Sequence, residues 1–286
     1  MGVRDGERPR TSLLGDGRSG PLLRAQTACG AYVRGDAGGS WNLERGGRTG
    51  SRWAKQSNVI VGMRCDVAVL TEPPPALAAL EGRVVSSPGR RKGLNGLESW
   101  VAVIGFGVVP AAIDLPFERM AAAAVLTISG DLVVVYGSVL PWNAAATQAP
   151  DLALPGESSA AMFDRVLAAQ EADVTRLQAA YPGVVVLWVG DFNQTLCGAN
   201  FGGSAQKRHA LESSLQRLGM VAWNAKARHA RDGMCAVDLV CGPKELVVGD
   251  VTYVDPAASG EVLSDHAGYV VEVPSLPSPA RPEGRV

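Results

Sequence analysis

The stretch VVVLWVGDFNQ, Val184 to Gln194, runs six apolar residues and a glycine directly into an acid, a phenylalanine and two carboxamides. A short apolar run bounded by turn residues reads as a buried strand. Asp191 and Asn193 stand two apart at its end, and on an extended segment side chains two apart point the same way, so both can address one bound atom. In α/β sheets ligands collect beyond strand ends, where loops converge above a rigid core. This strand is therefore expected to deliver polar groups to a site.

Upstream, SSAAMFDRVLAAQEADVTRLQAAY is the clearest helix. It keeps Phe163, Val166, Leu167, Val174 and Leu177 on one face, and Ser158 or Ser159 can cap it. Further back, SRWAKQSNVIVGMR reads as a weaker helix and CDVAVLTE as a strand that stops at Glu72 before three prolines. SWVAVIGF, AAAVLTIS and DLVVVYGSVLP read as strands, the last two joined through Ser129, Gly130 and Asp131 as a hairpin. Downstream come a helix near Lys207 to Leu218 and strands at AVDLVCG, VTYVD and GYVVEV. Hairpins mixed with helical crossovers predict mixed sheets instead of a purely parallel one. YVRGDAGGS is too glycine-rich to look like a strand. The organisation expected is a flexible leader at 1–39, one domain at 40–273 and a proline-rich tail at 274–286.

The chain has 286 residues, 47% of them hydrophobic, enough for a sizeable core. Its 27 basic and 28 acidic residues leave no global footprint for a polyanion. Five cysteines without CxxC spacing, an odd number, argue against a disulfide framework or structural zinc and for a reducing interior. No apolar run reaches the roughly 18 residues of a membrane span, and no secretory signal is evident, so a cytoplasmic location is expected.

Polar clusters recur at the strand ends: SWNLE, VLTE, LPWN, VGDFN, VDLV and LSDH. Asp238 in VDLV is the hardest to dismiss, because an acid in an apolar strand is costly unless paired. His209 and His229, in polar surroundings, read as solvated surface. GDFN followed by VDLV and then SDH resembles the endonuclease/exonuclease/phosphatase superfamily of metal-dependent phosphoesterases, over roughly Ser40 to Val273. The resemblance implies a four-layer α/β sandwich, two mixed β-sheets face to face with helices outside. It implies Mg²⁺, or Mn²⁺ in its place, with Glu72 as principal ligand and Asn42, Glu44 and Asp265 nearby. It makes Asp191 the base that activates water, Asn193 the amide that holds phosphate or that water, and His266 the closing histidine oriented by Asp238. Where many relatives carry histidine or tyrosine this chain has Val139, a gap that Asn143 would only partly fill.

Elementary chemistry asks for the same residue types. A phosphodiester needs a hard cation on a non-bridging oxygen, a base for the attacking water, and donors for the developing charge. A nucleic-acid substrate, DNA or RNA, is favoured over an inositol or lipid phosphate because the loops look short. Trp142 and Phe201 are then stacking platforms, and Lys207 and Arg208 phosphate contacts. No protein partner is implied. Two rivals stand beside this reading: a serine hydrolase with GESSA as a nucleophile elbow, and a binding module on the same scaffold that has lost catalysis.

Overall fold

Two strand–helix–strand crossovers set the architecture, which a computed structural model describes for residues 36–43, 50–74, 77, 83–88, 90–91, 98–117, 119–198, 202–258 and 260–273. In chain order the elements are β1 (Asp36–Asn42), α1 (Gly50–Gly62), β2 (Val67–Thr71), β3 (Arg83–Ser86), the ribbon β4 (Arg90–Arg91) with β5 (Glu98–Ser99), and β6 (Val101–Gly105). Next come β7 (Ala111–Ile113), β8 (Ala121–Ile128), β9 (Asp131–Val139), α2 (Ala145–Gln148), α3 (Ser159–Ala180) and β10 (Val185–Asp191). The chain continues through α4 (Ala205–Arg217), β11 (Met220–Ala222), β12 (Asp238–Pro243), β13 (Val251–Val254), a second ribbon β14 (Ala257–Ala258) with β15 (Glu261–Val262), and β16 (Gly268–Val273).

One six-stranded sheet has the order β13-β16-β1-β2-β6-β3 and the other β11-β12-β10-β9-β8-β7. Each contains one parallel pair, β1 with β2 and β9 with β10, among antiparallel neighbours. A parallel pair needs a crossover; α1 lies within the first, α2 and α3 within the second. The expected sandwich of two mixed sheets flanked by helices is the observed one.

Central strands of a sandwich are covered on both faces, which is why β2, β6 and β10 read as unbroken apolar runs. In β2 and β6, Val67, Val69, Val101 and Val103 join the core shared with the second sheet. Ala68, Leu70, Ala102 and Ile104 alternate with them and pack with Ile60 and Met63, at the C-terminal end of α1. Each fully buried large apolar side chain contributes roughly 1.5–3 kcal/mol. The two sheets touch closely at Gly137 of β9, where a Cβ would lie 2.8 Å from Val101 Cγ1 and 2.9 Å from Val69 Cγ1. Ser158 caps α3 by accepting from Ala161 N, and α3 turns Met162, Phe163, Val166 and Leu177 into the core.

Three expectations need correction. The glycine-rich DAGGSWN is the strand β1, beginning four residues before the expected boundary at 40, because β2 and β16 hold it from both sides. Ser158 is a helix cap preceded by turns instead of a strand, so GESSA forms no nucleophile elbow. Cys197 and Cys235 are joined in a disulfide, while Cys65 and Cys241 are buried free thiols. An odd cysteine count does not forbid a single pair between residues 38 apart in sequence. No helix among the described residues is long and apolar enough to cross a membrane.

Candidate active site

Strand register brings the polar clusters to one edge of the sandwich. The parallel pairs run their C-terminal ends to the same side, so Asn42 closes β1 opposite Thr71 of β2, and Glu72 follows at once. In the second sheet Asp191 ends β10 opposite Val139 of β9 and, on its other flank, opposite Asp238, the first residue of antiparallel β12. His266 stands two residues before β16. An open cleft of about 800 Å³ takes in Asn42, Glu72, Asp191, Asn193, Asp265 and His266.

Gly190 makes the end of β10 possible. Its φ of 145° is unfavourable for other residues, and a Cβ there would lie 2.0 Å from the Ser138 carbonyl oxygen. Asp191 is buried, and both its oxygens are held: Oδ2 accepts from Asn42 Nδ2 at 2.9 Å and Oδ1 from the Asn193 backbone N–H at 2.9 Å. Burial, then the charge of Asp238 opposite, push its pKa up to about 7 against the pull of His266. Asn193 Nδ2 donates to the Leu140 carbonyl at 2.9 Å, lashing the loop after β10 to the loop after β9.

Asp238 and His266 form a pair, with 2.6 Å between Oδ2 and Nδ1. Burial lowers the imidazole's pKa, but the charge and hydrogen bond of Asp238, with Asp191 and Asp265 behind them, overcome that and push it up to about 10. The ring is therefore an imidazolium at neutral pH. Asp265 lies 3.6 Å from His266 Nε2 through Oδ1, and its Oδ2 accepts from Arg231 at 2.8 Å.

Trp142 lines the cleft with its Nε1 donating to Gln148, its ring centroid 6.0 Å from that of buried Trp100. Asn143 lines it too, and its Oδ1 accepts from Lys207 Nζ at 3.2 Å. That contact corrects the reading of Lys207 as a phosphate ligand. Lys207 is 5% exposed, its Nζ 5.0 Å from the Phe163 ring centroid, and burial lowers its pKa. Arg208 is likewise occupied, donating to the carbonyls of Thr195 and Cys197 in the loop after β10. Lys207 fixes which end of the Asn143 amide faces the cleft, because an ammonium can only donate. Lys207→Met should accordingly lower kcat/KM about tenfold, through a misplaced amide, while Tm holds or rises because a buried charge is gone. Steady-state kinetics and thermal unfolding measure the two effects separately.

His229 also corrects the sequence reading. Only 6% exposed, it lines the cleft with its ring centroid 5.4 Å from that of His266. Burial comes first in lowering its pKa, followed by the charge of His266. Its polar neighbours in sequence hid a residue that folding turns inward, and nothing in the local pattern marked it. Val139 is 1% exposed and brings no polar group. His209 is exposed, as expected. Glu44 and Phe201 lie outside the described residues.

A two-sheet α/β sandwich with its acids and histidine gathered over one strand edge is the endonuclease/exonuclease/phosphatase fold. Among solved structures it is similar to the 3'-5' exonuclease NExo from Neisseria meningitidis, 18% identical over 84% of this chain and 100% of that one, with a TM-score of 0.59. The endonuclease domain of TRAS1, a telomere-specific non-LTR retrotransposon, is 14% identical over 83% of this chain and 98% of that one, with a TM-score of 0.56. Truncated TDP2 from Caenorhabditis elegans is 15% identical over 84% and 97%, also with a TM-score of 0.56. No family model and no curated protein matches the sequence.

Proposed function

We propose that this chain is a metal-dependent phosphodiesterase acting on nucleic acid, which cleaves by in-line attack of an activated water. The observation that carries the reading is the meeting of Asp191, braced on both oxygens, with the Asp238–His266 pair in one cleft. That several structural neighbours are nucleases supports the substrate class, one of them a NExo structure bound to a product DNA hairpin.

The donor set fits a hard divalent cation. Glu72, Asp191 and Asp265 bring carboxylates to the cleft beside Asp238, and Asp265 Oδ1 is a buried oxygen with no hydrogen-bond partner. These carboxylates face the His266 imidazolium and the guanidinium groups of Arg52 and Arg231, the latter already paired with Asp265, and the clustered oxygen ligands suit Mg²⁺ or Mn²⁺. Glu72 and Asp265 would hold it, with Asn42 beside them. Bound there, such an ion would act as a Lewis acid on a phosphoryl oxygen. The remaining work falls to side chains. Asp191 takes the proton of the attacking water from a position fixed by Asn42 and Asn193. The His266 imidazolium, steered by Asp238, donates to phosphate as negative charge grows. Asn143 offers its amide to the same group, and Trp142 a face for a base.

A test divides ligand from base. Glu72→Gln should weaken metal affinity by roughly 10–100-fold in the apparent Kd for Mg²⁺, recovering part of its turnover at high Mn²⁺. Turnover of bis(p-nitrophenyl) phosphate and of short DNA and RNA strands across a metal titration measures it. A wild-type chain that binds Mg²⁺ yet cleaves none of these would leave the catalytically inert module, which Val139 favours, as the better account.

A further inference from the structure

We propose that His229 is a second imidazole of the active site, donating a hydrogen bond from Nε2 to a phosphate oxygen of the substrate. The inference rests on the phosphodiesterase reading and adds a residue to it. Its ground is geometric. His229 lines the same cleft as Asp191, Asn193 and His266, and one of its ring nitrogens lies within 4.8 Å of both an Asp238 carboxylate oxygen and a His266 ring nitrogen.

The ring is fixed in one tautomer. Its Nδ1 accepts the backbone N–H of Arg231 at 3.0 Å, so the proton resides on Nε2, which has no protein acceptor among the described residues. Facing the open cleft, that N–H is left to donate to a group from outside the chain. The loop that carries it is also unusually braced. His229 N donates to the Met234 carbonyl at 3.0 Å, Arg228 pairs with Cys235 in an isolated bridge, and Tyr269 Oη donates to the Arg228 carbonyl at 2.8 Å. Cys235 is in turn bonded to Cys197, four residues after Asn193. The disulfide thus pins the His229 loop to the loop that follows Asp191. A donor held this firmly beside His266 suits a transition state in which charge spreads over several phosphate oxygens.

A histidine that merely props up its loop would look similar, and two substitutions separate the roles. In His229→Asn the amide oxygen replaces Nδ1 and keeps the bond from Arg231 but has nothing at the Nε2 position. In His229→Gln the amide nitrogen reaches the Nε2 position and the loop bond is lost. Turnover of bis(p-nitrophenyl) phosphate and of a short DNA hairpin with Mg²⁺, together with Tm, should show His229→Asn about 100-fold down in kcat/KM at near wild-type Tm. His229→Gln should stay within about tenfold of wild type despite a lower Tm. Wild-type turnover in His229→Asn, or losses in both that follow Tm, overturns the inference and leaves the phosphodiesterase reading standing. A wild-type protein inert towards both substrates overturns the reading and the inference together.

Discussion

Asp191→Asn is expected to reduce diester turnover roughly 10³-fold or more, with no recovery at high Mg²⁺ or Mn²⁺, because it removes the proposed base. The carboxylate has both oxygens occupied by donors. Asparagine must set its amino group against one of them, so position is lost along with basicity. Stability should change little. Burial and then the charge of Asp238 raise the folded pKa to about 7, above the unfolded value, so ionising Asp191 costs stability as pH climbs from about 4 through 7. A neutral amide removes that cost and offsets the lost hydrogen bond, leaving Tm within a few degrees of wild type. The same shift sets the acid side of the pH profile. Turnover should rise as Asp191 loses its proton, and more Mg²⁺ should move that rise to lower pH, since a cation favours the carboxylate. Initial rates against pH at two metal concentrations measure it.

The Asp238–His266 pair gives the second large effect. Asp238→Ala leaves the imidazole without the partner that charges and aims it; His266→Ala leaves a buried carboxylate facing Asp191 across the β10–β12 ladder. Each should cost roughly 10²–10⁴-fold in turnover. The double mutant should be little worse than either single one, because residues that act as one unit are not additive. Losses that multiply would show Asp238 to act independently of the ring. A stability readout separates the singles further. His266→Ala should lower Tm more at pH 7 than Asp238→Ala, since it strands a buried carboxylate, whereas Asp238→Ala leaves a ring that can shed its proton and still has Asp191 and Asp265 near it.

The sandwich could be read from the sequence because its middle strands are covered on both sides, and continuous apolar runs such as Val184–Val189 are what that environment selects. Asp191 and Asp238 stand out as candidates because each ends or interrupts such a run, whereas Asn193 and His266, in loops beside strands, stand out through the resemblance of GDFN and SDH. The first strand was not, since Gly38 and Gly39 carry no hydropathy; its identity comes from pairing with β2 and β16. Edge strands such as β7 and β11, three residues each, are defined by their neighbours and not by local pattern. His229 and the partnership of Lys207 with Asn143 were hidden for a related reason. Both depend on contacts between segments far apart in the chain, which spacing along a single segment does not reveal.

Four non-glycine residues among those described have positive φ, and two of them, Glu72 at 50° and Asn193 at 51°, lie in the cleft. For asparagine that region is tolerable; for glutamate it is a cost of order 1 kcal/mol or more, kept only where the surroundings enforce it. Glu72 is held by its backbone N–H to the Trp100 carbonyl at 2.9 Å and by Pro73 after it. A glycine at 72 would relax the backbone and discard the carboxylate in one step. Screening for thermostability alone would therefore select against the very residue that the proposed chemistry needs, and a stabilised consensus of such chains would drift towards an inert scaffold.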